Sequence, residues 1–238
     1  MGQNASKGQQ LRRTKVPVRL GLTVICAGGF MDAYSYLVHG HVFATGQTGN
    51  IVLLTVRSAG GDWLGALGCL VSVLSCAIGI FFSMHLLHGL LGGNRYRTQR
   101  WVAALEAVVF AAMALVPDGV PDLPVNCVIS FCAALAFENF RSFGTKSTYA
   151  SVFCTGNLRS LAETLYQGLV GGDRHELHRA ERYAALIGAF VVGAFAGVLL
   201  IGAVGRLACL VISALFIGVS ARLARLDEDP DRGGVVTL

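Results

Sequence analysis

The chain has 238 residues, of which 54% are apolar and 14% charged, with a formal net charge of +5. A soluble domain carries about a quarter of its residues as charges, whereas the charges here gather at the ends and in short connectors between long apolar tracts. This excludes an ordinary soluble enzyme or a nucleic-acid-binding domain and implies an all-α integral membrane protein.

In chain order, residues 1–19 form a polar tail ending in a basic collar of Arg12, Arg13, Lys15 and Arg19, with no signal-peptide cleavage site before the first apolar run. Met1-Gly2 with Ser6 fits the N-myristoylation pattern, which operates at Gly2 only in a eukaryotic host. Apolar segments follow at 20–38, 42–59, 63–91, 101–116, 123–143, 149–169, 183–204 and 207–223, before a polar tail over 226–238. Seven cysteines lie inside these segments without CxxC spacing, so they read as small buried hydrophobes, and no metal site or cofactor is expected. Glu106, close to the start of its apolar run, reads as a side chain reaching for the headgroups.

One tripeptide occurs twice, as Thr48-Gly49-Asn50 and Thr155-Gly156-Asn157, offset by about 107 positions. The same offset brings Ala27 onto Ala134, Phe30 onto Phe137, Ser35 onto Ser142, Leu54 onto Leu161 and Gly61 onto Gly168. Asp32 falls on Asn139. The chain is therefore read as one membrane domain over 20–225, built from two repeats, 20–117 and 122–223.

The two segments carrying the tripeptide hold several polar groups at mid-length, which a lipid-facing helix cannot satisfy. If they do not span, six helices remain. The N-terminal collar, Arg95, Arg97 and Arg100, then Arg174, Arg179 and Arg182, and finally Arg222 and Arg225 all fall on the cytoplasmic side. The other side receives Asp62, the Asp118 to Asp122 turn and, of the basic residues, only Arg57 and Arg206. Eight spans would reverse two of these loops against the positive-inside rule. The expected architecture is six transmembrane helices plus two re-entrant or broken half-helices, with both termini cytoplasmic. Three spans per repeat make the second repeat inverted, in a plasma membrane or bacterial inner membrane.

The doubled tripeptide reads as a helix start: Thr offers a capping oxygen, and Gly leaves the backbone approachable. Two inverted half-helix starts would aim two partial positive charges at one central point, suited to a small polar or anionic solute. The alternative is packing between close helices. Asp32 costs about 2.5–3.5 kcal/mol at a helix centre and so must face a cavity or a partner. It is a candidate for a proton, a cation or the solute, or for a tie to Ser35 or Thr48. Glu138 and Asn139 are its counterparts, and Glu138 could instead pair with Arg141 or Lys146. Arg159 either complements an anion or pairs with Glu163 four residues on. The candidate solute site is thus Asp32, Thr48, Gly49, Asn50, Glu138, Asn139, Thr155, Gly156, Asn157 and Arg159. His39 and His41 lack a third metal ligand at recognisable spacing and read as interfacial.

Gly29-Phe30-Met31-Asp32-Ala33, Phe43 and Thr48-Gly49-Asn50, followed by Asn139, Arg141, Thr155-Gly156 and Leu161, resemble the signatures of the YoaK-type membrane proteins, a domain-of-unknown-function family. The resemblance covers 20–223. Two departures are Glu138, where the family usually has Gln, and Asn157, where it often has Thr. The resemblance implies a multipass protein of about six spans and supplies no substrate. The site points to a secondary carrier, proton- or cation-coupled, with the lipid bilayer and a small polar or anionic solute as partners. A homodimer is compatible with the sequence. A non-transporting scaffold or sensor is the rival reading. An enzyme is not expected, because no catalytic set assembles.

Overall fold

A computed structural model describes residues 17–91, 95–117, 119–140 and 154–228, and among them every regular element is helical. The helices are α1 (Val18–Val38), α2 (Gln47–Ala59), α3 (Trp63–His85), α4 (Arg95–Met113), α5 (Asp122–Asn139), α6 (Cys154–Leu169), α7 (Arg174–Val204) and α8 (Cys209–Glu228). A π-helical turn, Leu86–Leu90, extends α3, and a 3-10 turn, Gly205–Ala208, joins α7 to α8.

The starts of these helices follow from local chemistry. Pro17 and Pro121 precede α1 and α5 with nearly the same backbone angles, φ −56° and −55° with ψ 139° in both, which suit a ring that fixes φ and cannot donate. Gly60-Gly61-Asp62 follows α2, and Gly171-Gly172-Asp173 follows α6. The second glycine of each has positive φ, +81° at Gly61 and +72° at Gly172, which favours a residue without Cβ. The aspartate then caps the next helix, Asp62 accepting from Gly65 N–H and Asp173 from His175 N–H. Gly61 thus shares its turn geometry with Gly172, whereas the constant offset aligned it with Gly168. α6 has 16 residues to the 13 of α2, and Val170 follows it before the glycines, which together lengthen the second segment by four residues.

α7 also corrects the sequence reading. Its 31 residues begin at Arg174, so Glu176, Arg179 and Arg182 lie on a helix where a connector was expected. Arg179 there holds Glu176 at 2.7 Å.

Small residues let the helices approach. Gly29 of α1 meets the backbone of Phe190 and Ala194, Gly193 of α7 meets the backbone of Cys26, and Gly197 lies against Phe30 and Ala33. The two helices therefore run in the same sense. α3 and α5 also run in the same sense, through Ser75–Cys127, Gly79 against Phe131 and Ala134, and Ser83–Asn139. α4 and α8 are antiparallel: Ser213 donates to the Ala107 carbonyl and Ser220 to that of Arg100. α2 packs on α3, α6 on α7, α1 on α8 and α4 on α5.

The core holds Phe30, Tyr34, Phe110, Ile129, Phe140 and Phe216. Large apolar side chains such as Phe81, Val192 and Phe195 face outward instead. Among the described residues three helical stretches, Val18–Val38, Trp63–His88 and Arg174–Leu226, are long and apolar enough to cross a membrane, the last comprising α7 and α8. An apolar exterior around helices of this length is the surface of a membrane protein.

Candidate functional site

The first tripeptide lies in the opening turn of α2. Gly46 is the N-cap and offers no side chain, so Thr48 does not cap the helix as its position suggested. The oxygens at this helix start come from α1. Asp32, buried at mid-helix, accepts from the backbone N–H of Thr45 and from its hydroxyl, each at 2.6 Å. The partner is thus Thr45 rather than Ser35 or Thr48; Ser35 donates to the backbone carbonyl of Asp32. A carboxylate here complements the positive end of α2.

Asn50 is fully buried. Its side-chain oxygen accepts from Phe43 N–H at 2.9 Å, and its amide group donates to the Phe43 carbonyl (2.7 Å), Gln47 Oε1 (2.9 Å) and Ser72 Oγ (2.9 Å). Ser72 in turn shares a hydrogen bond with Ser130 of α5 at 2.7 Å. A Cβ on Gly49 would stand 3.2 Å from the Phe43 ring, which explains the glycine by packing. Thr48 is exposed.

The second tripeptide shares the burial of its asparagine. Thr155 and Gly156 are exposed, and Asn157 is buried in the first turn of α6. Cys154, the first residue of α6, lies within electrostatic reach of Asp32. Asp32 therefore stands at the start of α2, and its charge is felt at Cys154, the first residue of α6.

The remaining candidates are dispersed. Asn139 donates to Ser83 Oγ at 2.7 Å and to the Leu135 carbonyl, while its own backbone carbonyl accepts from Gln99 at 2.7 Å. The hydrogen bonds of Asp32, Asn50 and Asn139 thus run to different neighbours and not to one another. Glu138 is half-buried at the end of α5; Arg141 and Lys146, its expected partners, lie outside the described residues. Arg159 is exposed and holds Glu163 at 2.8 Å, the i,i+4 pairing rather than a place beside Asn157.

Three features escaped the sequence reading. Thr45 carried no signal beyond its place in a polar loop. Gln99 and Glu106 are both fully buried. α4 begins at Arg95, so Glu106 is three turns deep rather than at the headgroups. A hydropathy boundary at Trp101 concealed that depth.

A cavity of about 120 Å³ lies at the far end of the bundle, among Tyr34, His39, Met113, Val120, Asp122 and Arg206. His39 Nδ1 meets Asp122 at 3.2 Å, and the His39 carbonyl accepts from Asn126. Burial holds the His39 imidazole below its ordinary pKa, against the opposing pull of Asp122. Arg57 closes the same end, donating to Gly65 and Gly40 carbonyls at 3.0 Å. Among the described residues no cluster of His, Cys, Asp and Glu could hold a metal ion.

No curated protein and no solved structure is significantly similar to the chain. The family model described as a protein of unknown function (DUF1275) matches residues 20–222, and the chain belongs to that family, consistent with the YoaK-type signatures in its sequence.

Proposed function

We propose that the chain is a secondary carrier for a small anionic or polar solute, built from two inverted repeats around Asp32. The observation that carries this reading is the buried Asp32 carboxylate bonded at the start of α2, with its charge felt at the first residue of α6. The helix pairings support the repeat. Exchanging α1 with α5, α2 with α6, α3 with α7 and α4 with α8 turns α1–α7 into α5–α3, α2–α3 into α6–α7, and α1–α8 into α5–α4, all of which pack. The shared sense of α1 with α7 and of α3 with α5 fits six alternating spans. α2 and α6, about 20 and 24 Å long at 1.5 Å per residue, fall short of a core about 30 Å thick and serve as half-helices. The basic residues at one end of the bundle favour the cytoplasmic side for that end and for both termini.

In this reading Asp32 occupies the positive end of α2 while ionised. Protonation weakens its hold on Thr45 and frees those donors for the oxygens of an anionic solute, so proton and anion travel together. Asn50 holds the start of α2 in place through its bonds to Phe43. Arg159, engaged with Glu163, takes no direct part.

A thermal-shift screen of purified protein against acetate, succinate, glutamate, phosphate and sulfate tests it. Stabilisation by one chemical class, lost in Asp32→Asn, is expected. A panel that shifts neither protein favours the second reading, a non-transporting scaffold. The observation behind that reading is the saturated amide of Asn50, which behaves as a packing element.

A further inference from the structure

Glu106 lies three turns into α4 with no accessible surface, and neither carboxyl oxygen has a hydrogen-bond partner. It faces α5, where the Ala136 backbone and Cys132 are its neighbours. From α8 the adjacent polar group is Ser213, whose hydroxyl is committed to the Ala107 carbonyl at 2.7 Å. The cations of α4 itself lie toward the basic end: Arg100 six positions away on another face, Arg97 farther still, and Arg95 about three turns off. Arg222 and Arg225 of α8 and His88 after α3 belong to that same end, as does the half-buried Glu138 of α5. No described Lys, Arg or His forms an ion pair with Glu106.

A carboxylate in this setting would have no countercharge among the described residues, the Ala136 backbone as its one nearby donor, and no exposure to solvent. A carboxylic acid has no such charge to compensate. Seven positions earlier on the same face of α4, Gln99 lies in the same seam against α5, bonded to the Asn139 carbonyl, with its own side-chain oxygen buried and without a partner. Polar groups thus continue from Glu106 toward the basic end of the α4–α5 seam.

We propose that Glu106 is a proton-binding site: its carboxyl carries a proton at neutral pH and exchanges it with the aqueous phase along the α4–α5 seam. The use of this proton as the coupling ion rests on the carrier reading, but the site itself does not.

The test is infrared spectroscopy of the full-length protein in lipid nanodiscs at neutral pH, without any solute. The C=O band of a protonated carboxyl is expected in the wild-type protein, retained in Asp32→Asn, lost in Glu106→Gln, and shifted on transfer to D2O. No band, or a band unaffected by Glu106→Gln, overturns the proposal. A band lost in that variant but unmoved by D2O marks a sealed structural acid and overturns it equally. A measurement that needs no variant guards against misfolding of Glu106→Gln. Dicyclohexylcarbodiimide, which adds to protonated buried carboxyls, should modify Glu106 in wild-type protein, mapped by peptide mass spectrometry, and do so less as pH rises. Absence of that adduct at Glu106 in nanodiscs at neutral pH contradicts the site.

Discussion

Thr45 gives Asp32 two hydrogen bonds, one from its backbone N–H and one from its hydroxyl, and so ties the middle of α1 to the residue before the N-cap of α2. The buried carboxylate thereby gains donors and a helix dipole, and the helix start gains a counter-charge. Each relieves a cost the other would carry alone within a membrane.

Asp32→Ala should therefore destabilise the protein more than Asp32→Asn. Alanine leaves both Thr45 donors unpaired, at about 1.5–3 kcal/mol for a charge-assisted bond. Asparagine keeps one acceptor and loses the charge, which is worth up to about 2 kcal/mol at a partly buried helix end. Thermal unfolding in detergent ranks the two; equal midpoints for wild type and both variants would show that the Asp32–Thr45 contact contributes nothing.

Within the first tripeptide the positions should respond differently. Asn50→Ala strands the Phe43 N–H and removes the amide's bonds to the Phe43 carbonyl, Gln47 and Ser72, with a loss of about 1–3 kcal/mol on the usual scale for a buried unsatisfied group. Thr48→Ala, at an exposed position, should stay within about 0.5 kcal/mol. Unfolding midpoints measured side by side check this contrast, and a Thr48 effect as large as that of Asn50 would contradict it.

The glycines of α7 offer a test of helix approach. A Cβ at Gly193 would strike the Cys26 carbonyl, so Gly193→Ala must push α1 and α7 apart and should reduce folded yield. Nothing stands within 4 Å of a Cβ at Gly202 on the same helix. Gly202→Ala should be neutral or stabilising, by up to about 1 kcal/mol from helix propensity. Size-exclusion profiles and melting midpoints of the two variants should diverge.

His39 gives a pH dependence of known sign. Its folded-state pKa is lowered by burial, so just below the ordinary histidine value, near 6.5, the unfolded chain holds more protons than the folded one. Stability contributed at this site is therefore complete above that value and falls as pH drops through it. A melting curve from pH 7.5 to 5 should be flatter in His39→Gln than in wild type; parallel curves would remove His39 from the account.

The all-helical class, the approximate helix positions and the special place of the two tripeptides were legible from hydropathy, charge and repetition. α2 and α6 do begin at the tripeptides, and Arg159 does take the local pairing with Glu163 that its spacing allowed. What escaped was long-range. Nothing local to Thr45 shows that a carboxylate thirteen residues earlier will meet it. Glu106 was misplaced because an Arg-rich first turn hid the true start of α4. A constant offset between the two tripeptide segments also missed the greater length of α6, which the Gly-Gly-Asp signals after α2 and α6 reveal.

The central claim, that α2 and α6 bring solute-accessible starts from opposite sides to a common point, is tested most directly by cysteine accessibility. In a cysteine-free background, Thr48→Cys and Thr155→Cys would each be exposed to a membrane-impermeant maleimide in intact cells and in inside-out vesicles. The account predicts that the cysteine at 48 reacts from the outer side and the cysteine at 155 from the cytoplasmic side, with both rates reduced when a stabilising solute is bound. Reaction of both from one side, or of neither from any side, would contradict it.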